Sequence, residues 1–388
     1  MERLEKCKVS DICGGCQLQH LDYQQQLELK QQRIERLFSK IKKVEPIIGC
    51  DNPYHYRNKV QMAFSSYKKR VICGNYVEST HEIVEIKNCQ IADEKANDII
   101  NTIKKLVNSF HISTFDENRF SGCLRHVMVR LSKTTNEIMV ILVTGSFTIP
   151  YKKDFIGQLI SIHPEITTII QCVNNKRTSM VLSDRFNILY GKGYIEDKLN
   201  GLTFRISPSA FYQVNSNQTP ILYNKAIDLA QLNKDDIVID AYCGTGTIGL
   251  SLAKKVKEVY GVEINQQAIR DAKINSRINK IENAYFVSAD AGKYLTQLTQ
   301  KRSKVDVVIM DPPRSGADEK FLRSLVGLKP KKIVYISCNP LTQKQNLYYL
   351  LKNGYQVQVI QPVDMFPFTE HVESIALLKR EKLRRAAY

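Results

Sequence analysis

The chain has 388 residues, 43% of them hydrophobic, and a formal net charge of +17. This length is sufficient for two or three domains. The sequence contains no apolar run of membrane-span length and no apolar signal core near its start, so it predicts a cytosolic protein rather than a membrane protein. The excess of 56 basic over 39 acidic residues favours a nucleic-acid partner over a small metabolite. One basic run is the tail from Lys379 to Arg385.

Cysteines close to the N-terminus predict a metal centre. Cys7, Cys13 and Cys16 form a C-x5-C-x2-C pattern, and Gly14 and Gly15 allow a tight turn between the thiols. A cytosolic chain keeps its thiols reduced, so clustered cysteines indicate metal ligation. Three thiolates plus one distant cysteine favour a [4Fe–4S] cluster, and zinc is the alternative. The fourth ligand is to be sought among the next cysteines along the chain: Cys50, Cys73 and Cys89.

Residues 21–43 form one predicted amphipathic helix, because apolar residues recur there at helical spacing. Short β-rich segments then dominate residues 51–206, with a clear helix at Ala92–Phe110. This pattern predicts an α+β region with an antiparallel sheet. Three basic residues on its strands, Arg57, Lys59 and Arg125, are candidates for RNA contact, although on this pattern alone a solvated sheet face is the better explanation.

Beyond residue 217, apolar strands alternate with helices, which predicts a doubly wound, mostly parallel α/β sheet. The predicted strands are Ile237–Ala241, Glu258–Val262, Ala284–Ser288, Val305–Met310, Lys332–Ser337, Gln356–Pro362 and Ser374–Leu378. We therefore expect a first domain at residues 1–210, carrying the cysteine cluster and the RNA-binding sheet, and a catalytic domain at residues 211–388.

A glycine-rich loop after the first of these strands predicts a nucleotide-like ligand. Gly244, Gly246 and Gly249 satisfy the G-x-G-x-x-G pattern of dinucleotide-binding proteins, so NAD must be considered. Asp240 precedes these glycines, where it would repel a pyrophosphate but could accept a hydrogen bond from an ammonium group. Glu263 ends the next strand and is placed to bind ribose hydroxyls. With Asp290 as a candidate for the adenine amino group, this set favours S-adenosylmethionine (AdoMet).

Two further strand ends predict the chemistry. Asp311-Pro312-Pro313-Arg314 ends the fourth strand, and Cys338 follows the fifth, so both lie at the edge where open α/β sheets bind ligands. A buried, inert thiol is the simplest interpretation of Cys338 alone. Together with AdoMet and a basic chain, however, a thiol favours covalent catalysis, in which it adds to carbon 6 of a pyrimidine and activates carbon 5. This reaction needs a base for the carbon 5 proton. Glu373 is our candidate, with Glu370 and His371 as alternatives.

These motifs resemble the RNA uracil-5-methyltransferases of the RumA/TrmA type, and most closely their iron–sulfur branch, which acts on 23S rRNA. The resemblance covers nearly the whole chain. It is carried by the cysteine cluster, Phe211–Asn215, Asp240–Gly246, Glu263, Asp311–Arg314, Ser337–Pro340 and His371–Ser374.

The resemblance implies a Rossmann-like AdoMet-dependent domain, with Cys338 as nucleophile and Glu373 as base. It implies AdoMet contacts at Gln213, Tyr242, Glu263 and Asp311, to which the glycine loop adds Gly244. It also implies an iron–sulfur cluster on Cys7, Cys13, Cys16 and Cys89, and a helix at residues 21–43 that packs on the catalytic domain.

Many relatives of this type carry an N-terminal TRAM domain, which we do not expect in this chain. The expected protein is a cytoplasmic monomer that makes 5-methyluridine in 23S rRNA. The same reaction on tRNA, or an inactive iron–sulfur RNA-binding protein, are the alternatives.

Overall fold

The computed structural model describes residues 5–68, 70–77, 80 and 82–381. Most of the basic tail, from residue 382 on, and Lys69 therefore lie outside the described residues. The helices are α1 (Tyr23–Phe38), α2 (Glu94–Ser109), α3 (Lys152–Ile162), α4 (Gln218–Ala230), α5 (Thr247–Leu252), α6 (Gln266–Ile278), α7 (Ala291–Gln300), α8 (Glu319–Leu328) and α9 (Pro340–Lys352).

Strands β1 to β9 belong to the first part of the chain: β1 (Lys59–Tyr67), β2 (Arg70–Tyr76), β3 (Ile83–Glu85), β4 (Leu124–Leu131), β5 (Ile138–Thr144), β6 (Ile166–Val173), β7 (Phe186–Gly191), β8 (Ile195–Leu199) and β9 (Leu202–Ile206). Strands β10 to β16 belong to the second part: β10 (Ile237–Ala241), β11 (Glu258–Glu263), β12 (Ala284–Ser288), β13 (Val307–Met310), β14 (Lys332–Ser337), β15 (Tyr355–Val363) and β16 (Glu373–Arg380).

The central sheet has seven strands in the order β3-β2-β1-β4-β5-β6-β7. Its pairs are antiparallel except β5 and β6, which run parallel. The prediction of an antiparallel sheet is therefore corrected to a mixed sheet. The parallel pair follows from α3, which connects β5 to β6 and lets the chain re-enter the sheet in the same direction.

The catalytic sheet has the order β12-β11-β10-β13-β14-β16-β15. Strands β10 to β14 are parallel, as predicted, while β16 runs antiparallel to both of its neighbours. Strand order reverses on the two sides of β10, so the edge after β10 and β13 is the place where such sheets bind ligands. Within the described residues, no helix combines the length and the apolar character needed to cross a membrane.

Helix α1 is shorter than the predicted 21–43. It begins with a capping box between Asp22 and Gln25 and ends at Phe38. Residues 39–41 form a turn instead, and Ile48 forms a parallel bridge with Val363 of β15. The helix buries every fourth residue of one face, namely Gln26, Lys30, Ile34 and Phe38. This face packs on the catalytic part of the chain, where Ile34 and Phe38 join the core around β13 and β14.

Candidate active site

The glycine-rich loop after β10 is held by a carboxylate of the strand itself. Asp240 Oδ2 accepts a hydrogen bond from the backbone N–H of Gly249 at 2.8 Å, while its Oδ1 is buried without a partner among the described residues. Burial is the largest cause that raises the pKa of Asp240 to about 7; the carboxylates of Asp311 and Glu263 act in the same direction, and the hydrogen bond from Gly249 opposes them. Asp240 therefore anchors the loop, in addition to any contact with a ligand.

The loop conformation requires glycine. Gly246 has φ +81°, and a Cβ atom there would lie 2.9 Å from ring carbons of Phe286. Gly244 has φ +53°, and its N–H donates to Glu263 Oε2 at 3.3 Å. The predicted Glu263 therefore lies directly against the predicted loop, at the end of the neighbouring strand β11.

The other predicted AdoMet contacts surround the same edge. Tyr242 adopts a left-handed backbone (φ +64°), and its ring centroid lies 5.3 Å from that of Phe321. Asp290 caps the N-terminus of α7, and its Oδ1 accepts from the N–H of Lys293 at 2.8 Å. Gln213 is buried and its side chain bonds the hydroxyl of Tyr223.

Sheet register brings the predicted nucleophile and base together. Ser337, the last residue of β14, pairs with Ser374 of β16. The next position along this antiparallel register sets Cys338 opposite Glu373. Directly opposed residues in such a pair have neighbouring side chains on one face of the sheet. Glu373 is 3% exposed, and its Oε2 lacks a hydrogen-bond partner among the described residues.

The ionisable groups around this pair shift one another's pKa. Burial raises the pKa of the Cys338 thiol to about 11, and Glu373 and Asp311 contribute in the same direction. The Arg314 guanidinium, which bonds the thiol, opposes this shift. Burial, and secondly Asp311, raise the pKa of Glu373 well above its usual value. Burial also raises the pKa of Asp311 to about 7. A buried group of carboxyls and a thiol with shifted pKa values is typical of a catalytic centre.

Side-chain hydrogen bonds hold the loops that carry these groups in place. Asn339, the N-cap of α9, donates from Nδ2 to the Arg314 carbonyl at 2.9 Å, so the Asp311–Arg314 turn is tied to the segment of Cys338. The Arg314 guanidinium Nη2 lies 3.2 Å from His371 Nε2. Because Cys338 lies next to the N-cap of α9, the positive end of the helix dipole also favours a thiolate.

Two cavities flank Arg314 and His371, and both residues line each of them. One, of about 720 Å³, contains Cys338 and is walled by α1 and α9. The other, of about 480 Å³, extends to the cysteine loop, since Gly14, Gly15 and Arg57 line it. The sequence did not indicate the contribution of α1 to this site, because nothing in its pattern shows which segment packs against which strand end.

The predicted metal ligands lie partly together. Cys16 and Cys89 pack against the same small apolar cluster, which includes Phe368. Burial raises the pKa of Cys16 to about 12, followed by the charges of Cys89 and Cys13, so these three thiols lie within one another's electrostatic field. The segment of Cys7 is tied to this region through the Glu5 carbonyl, which accepts from the Gln90 amide at 2.6 Å. Among the described residues, no group of three or more potential ligands has a geometry that could hold a metal ion.

The three basic residues predicted for RNA contact differ in accessibility. Arg125 is 5% exposed, donates to the Asn174 carbonyl at 2.7 Å and pairs with Glu117, so its guanidinium serves the structure of the sheet. Burial, followed by the charges of Arg130 and Arg57, lowers the pKa of Lys59 to about 8. Of the three, Arg57 lines the cavity of about 480 Å³ that Arg314 and His371 also line.

The chain is similar to known RNA methyltransferases. The family model for tRNA (uracil-5-)-methyltransferase matches residues 22–381. An uncharacterized RNA methyltransferase of Oceanobacillus iheyensis is 43% identical over 372 residues, which is 94% of this chain and 81% of the relative. One from Clostridium tetani is 43% identical over 96% of this chain and 82% of the relative.

Among solved structures, the tRNA (uracil-54, C5)-methyltransferase of Pyrococcus abyssi, in complex with S-adenosyl-L-homocysteine, superimposes with a TM-score of 0.79 at 30% identity. The match covers 94% of this chain and 84% of that chain.

Proposed function

The chain belongs to the tRNA (uracil-5-)-methyltransferase family, and from that premise we propose that it methylates carbon 5 of a uridine in 23S rRNA through a covalent adduct between Cys338 and carbon 6 of the base. The family assignment makes it an AdoMet-dependent RNA methyltransferase. The observation that carries the proposed mechanism is the register of β14 and β16: its last pair is Ser337 with Ser374, so Cys338 and Glu373 are the next residues on the two strands, and Glu373 raises the pKa of the Cys338 thiol.

Carbon 5 of uracil is a poor nucleophile, and Cys338 overcomes this. Its thiolate adds to carbon 6, which converts the ring to an enolate whose carbon 5 attacks the methyl group of the sulfonium. S-adenosylhomocysteine leaves with the electrons of the broken carbon–sulfur bond. Arg314 opposes the effect of burial on the pKa of the thiol, so it favours the thiolate form needed for the first step.

Glu373 then completes the reaction as general base. Its carboxylate removes the proton from carbon 5, and the Cys338 sulfur leaves carbon 6 with its bonding electrons. A carboxylate with a raised pKa is a stronger base than an exposed one, which suits it to a carbon acid. Replacing Glu373 by Gln should therefore allow methyl transfer but block elimination, and RNA should accumulate on the protein. Loss of AdoMet binding in this variant would instead assign Glu373 a structural role.

The methyl donor is placed at the glycine-rich loop in this proposal. Asp240 and Asp311 are buried carboxyls with raised pKa at this edge, and a sulfonium or ammonium cation beside them would favour their ionised form, whereas the phosphates of NAD would disfavour it. Six residues around this edge would contact AdoMet: Gln213, Tyr242, Gly244, Glu263, Asp290 and Asp311. Equilibrium binding of AdoMet against NAD tests this assignment, and binding of NAD alone would contradict it.

We also propose a [4Fe–4S] cluster on Cys7, Cys13, Cys16 and Cys89. Its support is the all-thiol donor set and the mutual interaction of three of these thiols. When bound, such a cluster would fix the N-terminal loop against the segment of Cys89. Iron and sulfide analysis with absorption spectra of protein purified without oxygen should give four irons per chain. Zinc in place of iron, or unchanged iron content in Cys16→Ser, would contradict this ligand set.

The choice of 23S rRNA rests on the resemblance carried by the cysteine cluster, and tRNA is the second candidate because the matching family and solved structure are named for it. Mapping 5-methyluridine in rRNA and tRNA from cells with and without this protein decides between them. We expect one or more 23S positions to lose the methyl group and to regain it with the wild-type gene but not with Cys338→Ala. Loss confined to tRNA would identify the second candidate, and no loss in either RNA would reject the proposed function.

A further inference from the structure

We propose that the groove between α1 and α9 binds the single-stranded RNA that adjoins the target uridine, with Arg36 and Lys344 contacting its phosphates. This inference rests on the proposed function, since Cys338 lies in the same cavity. A cavity of about 720 Å³ is much larger than a uracil base, so it has room for more than the reacting group.

One stripe of α1 forms a wall of the groove. Its residues are Leu29, Gln32, Arg33, Arg36 and Leu37, which recur at three- and four-residue intervals and so share one face. This face adjoins the buried stripe that fixes the helix to the catalytic part. Leu29 is 45% exposed and lines the cavity, so it offers apolar surface to a ligand in the groove.

Helix α9 supplies the opposite wall. Leu341 and Lys344 are one turn apart and both line the cavity. Leu341 is 56% exposed. One turn further, Tyr348 is 38% exposed, with the Lys344 ammonium 6.0 Å from its ring. Because α9 begins directly after Cys338, an RNA strand that places its base at the thiol continues along this helix.

The charge of the groove fits a polyanion. Its lining contains four cationic side chains, Arg33, Arg36, Arg314 and Lys344, but only one carboxylate, Glu370. Arg33 pairs with Glu370 at 3.3 Å, and Arg314 faces the thiol and His371. Arg36 donates only to the amide of Gln32, at 3.3 Å, and neither it nor Lys344 has a carboxylate partner among the described residues. These two cations are therefore available for phosphates, while the leucines offer apolar surface to the bases.

The test compares two double variants in binding to a 20-nucleotide poly(U) RNA over a range of salt concentrations. Arg36→Gln/Lys344→Gln removes the proposed contacts. Lys273→Gln/Arg277→Gln removes two exposed cations of α6, which packs near β11 and β12 at the other side of the sheet. For single strands, each lost phosphate contact makes the negative slope of log K against log salt shallower by about 0.7. The slope of the groove variant should therefore be shallower than that of the wild type by about 1.4.

The control should keep nearly the wild-type slope, and both variants should bind AdoMet as the wild type does. If the groove variant has the same slope as the control, the inference that this groove binds RNA is overturned. The proposed chemistry is read separately, from methyl transfer to total RNA by the wild type. Absence of transfer would reject the chemistry, whereas an unchanged slope with active wild type would reject only the groove.

Discussion

A buried ion pair fastens α1 to the segment that leads to Glu373, and its removal should destabilise the protein strongly. Lys30 Nζ donates to Asp364 Oδ1 at 2.8 Å and to the Phe366 carbonyl at 3.1 Å. The Tyr23 hydroxyl donates to Asp364 Oδ2 at 3.0 Å. The side chains of Lys30 and Asp364 are 2% and 0% exposed. Lys30→Met would leave the carboxylate buried without its cation.

Breaking a buried pair from one side costs about 3–5 kcal/mol, because the remaining charge has lost its partner but stays away from water. The control is Arg33→Met on the same helix. Arg33 pairs with Glu370, but both side chains are more than half exposed. An exposed pair of this kind contributes about 0–1 kcal/mol.

The free energy of unfolding is measured by urea titration, followed by far-UV circular dichroism. In Lys30→Met we expect the first unfolding transition to move to a lower urea concentration, with little change in the dependence of the free energy on urea. In Arg33→Met the transition should stay close to that of the wild type. Adding Asp364→Leu to Lys30→Met should recover part of the loss, since no unpaired charge then remains. A loss below about 1 kcal/mol in Lys30→Met, equal to that of Arg33→Met, would refute the role assigned to this pair.

Three further outcomes are expected. Because Glu373 raises the pKa of the Cys338 thiol, Glu373→Gln should speed alkylation of this thiol by iodoacetamide at pH 8, where a thiol with a pKa of about 11 is only about 0.1% ionised. Mass spectrometry of the Cys338 peptide measures the rate, and slower alkylation in the variant would contradict the direction of this effect. Folding raises the pKa of Asp240 and Asp311 to about 7, so their contribution to stability is complete below about pH 4 and disappears as the pH rises to about 7. The melting temperature of the protein without AdoMet should therefore fall between about pH 4 and pH 7, and it should fall less in Asp240→Asn. Gly246→Ala should lower the free energy of unfolding by about 1–3 kcal/mol and weaken AdoMet binding, because Gly246 has a positive φ and lies close to the Phe286 ring. An unchanged AdoMet affinity, measured by calorimetry, would contradict this.

The sequence predicted the catalytic sheet closely, because its strands are apolar runs that end in polar residues. The bounds of β10, β12 and β14 agree with the prediction. Such runs, repeated between helices, are typical of parallel strands covered on both faces, so local pattern and final structure coincide. For residues 51–206 the sequence predicted only β-rich segments, because strands there such as β7, which has no fully buried residue, give a weak hydrophobic pattern.

What the sequence could not predict depends on contacts between distant residues. Lys30 and Asp364 are separated by 334 positions, and nothing in either segment indicates that they meet in the interior. Arg125 shows the same problem for function. Its pattern on β4 suggested a free basic face, but Glu117 and the Asn174 carbonyl occupy its guanidinium. Charge in a sequence indicates a partner, and only the fold shows whether that partner is RNA or the protein itself.

The central claim is that Cys338 forms a covalent bond to the target uridine, and trapping that bond tests it most directly. RNA carrying 5-fluorouridine, incubated with the protein and AdoMet, should give a stable adduct, because fluorine at carbon 5 cannot leave as a proton does. Mass spectrometry should place the RNA on the Cys338 peptide of the wild type, and Cys338→Ala should give no adduct. An equally abundant adduct in Cys338→Ala, or attachment at another cysteine, would contradict the account.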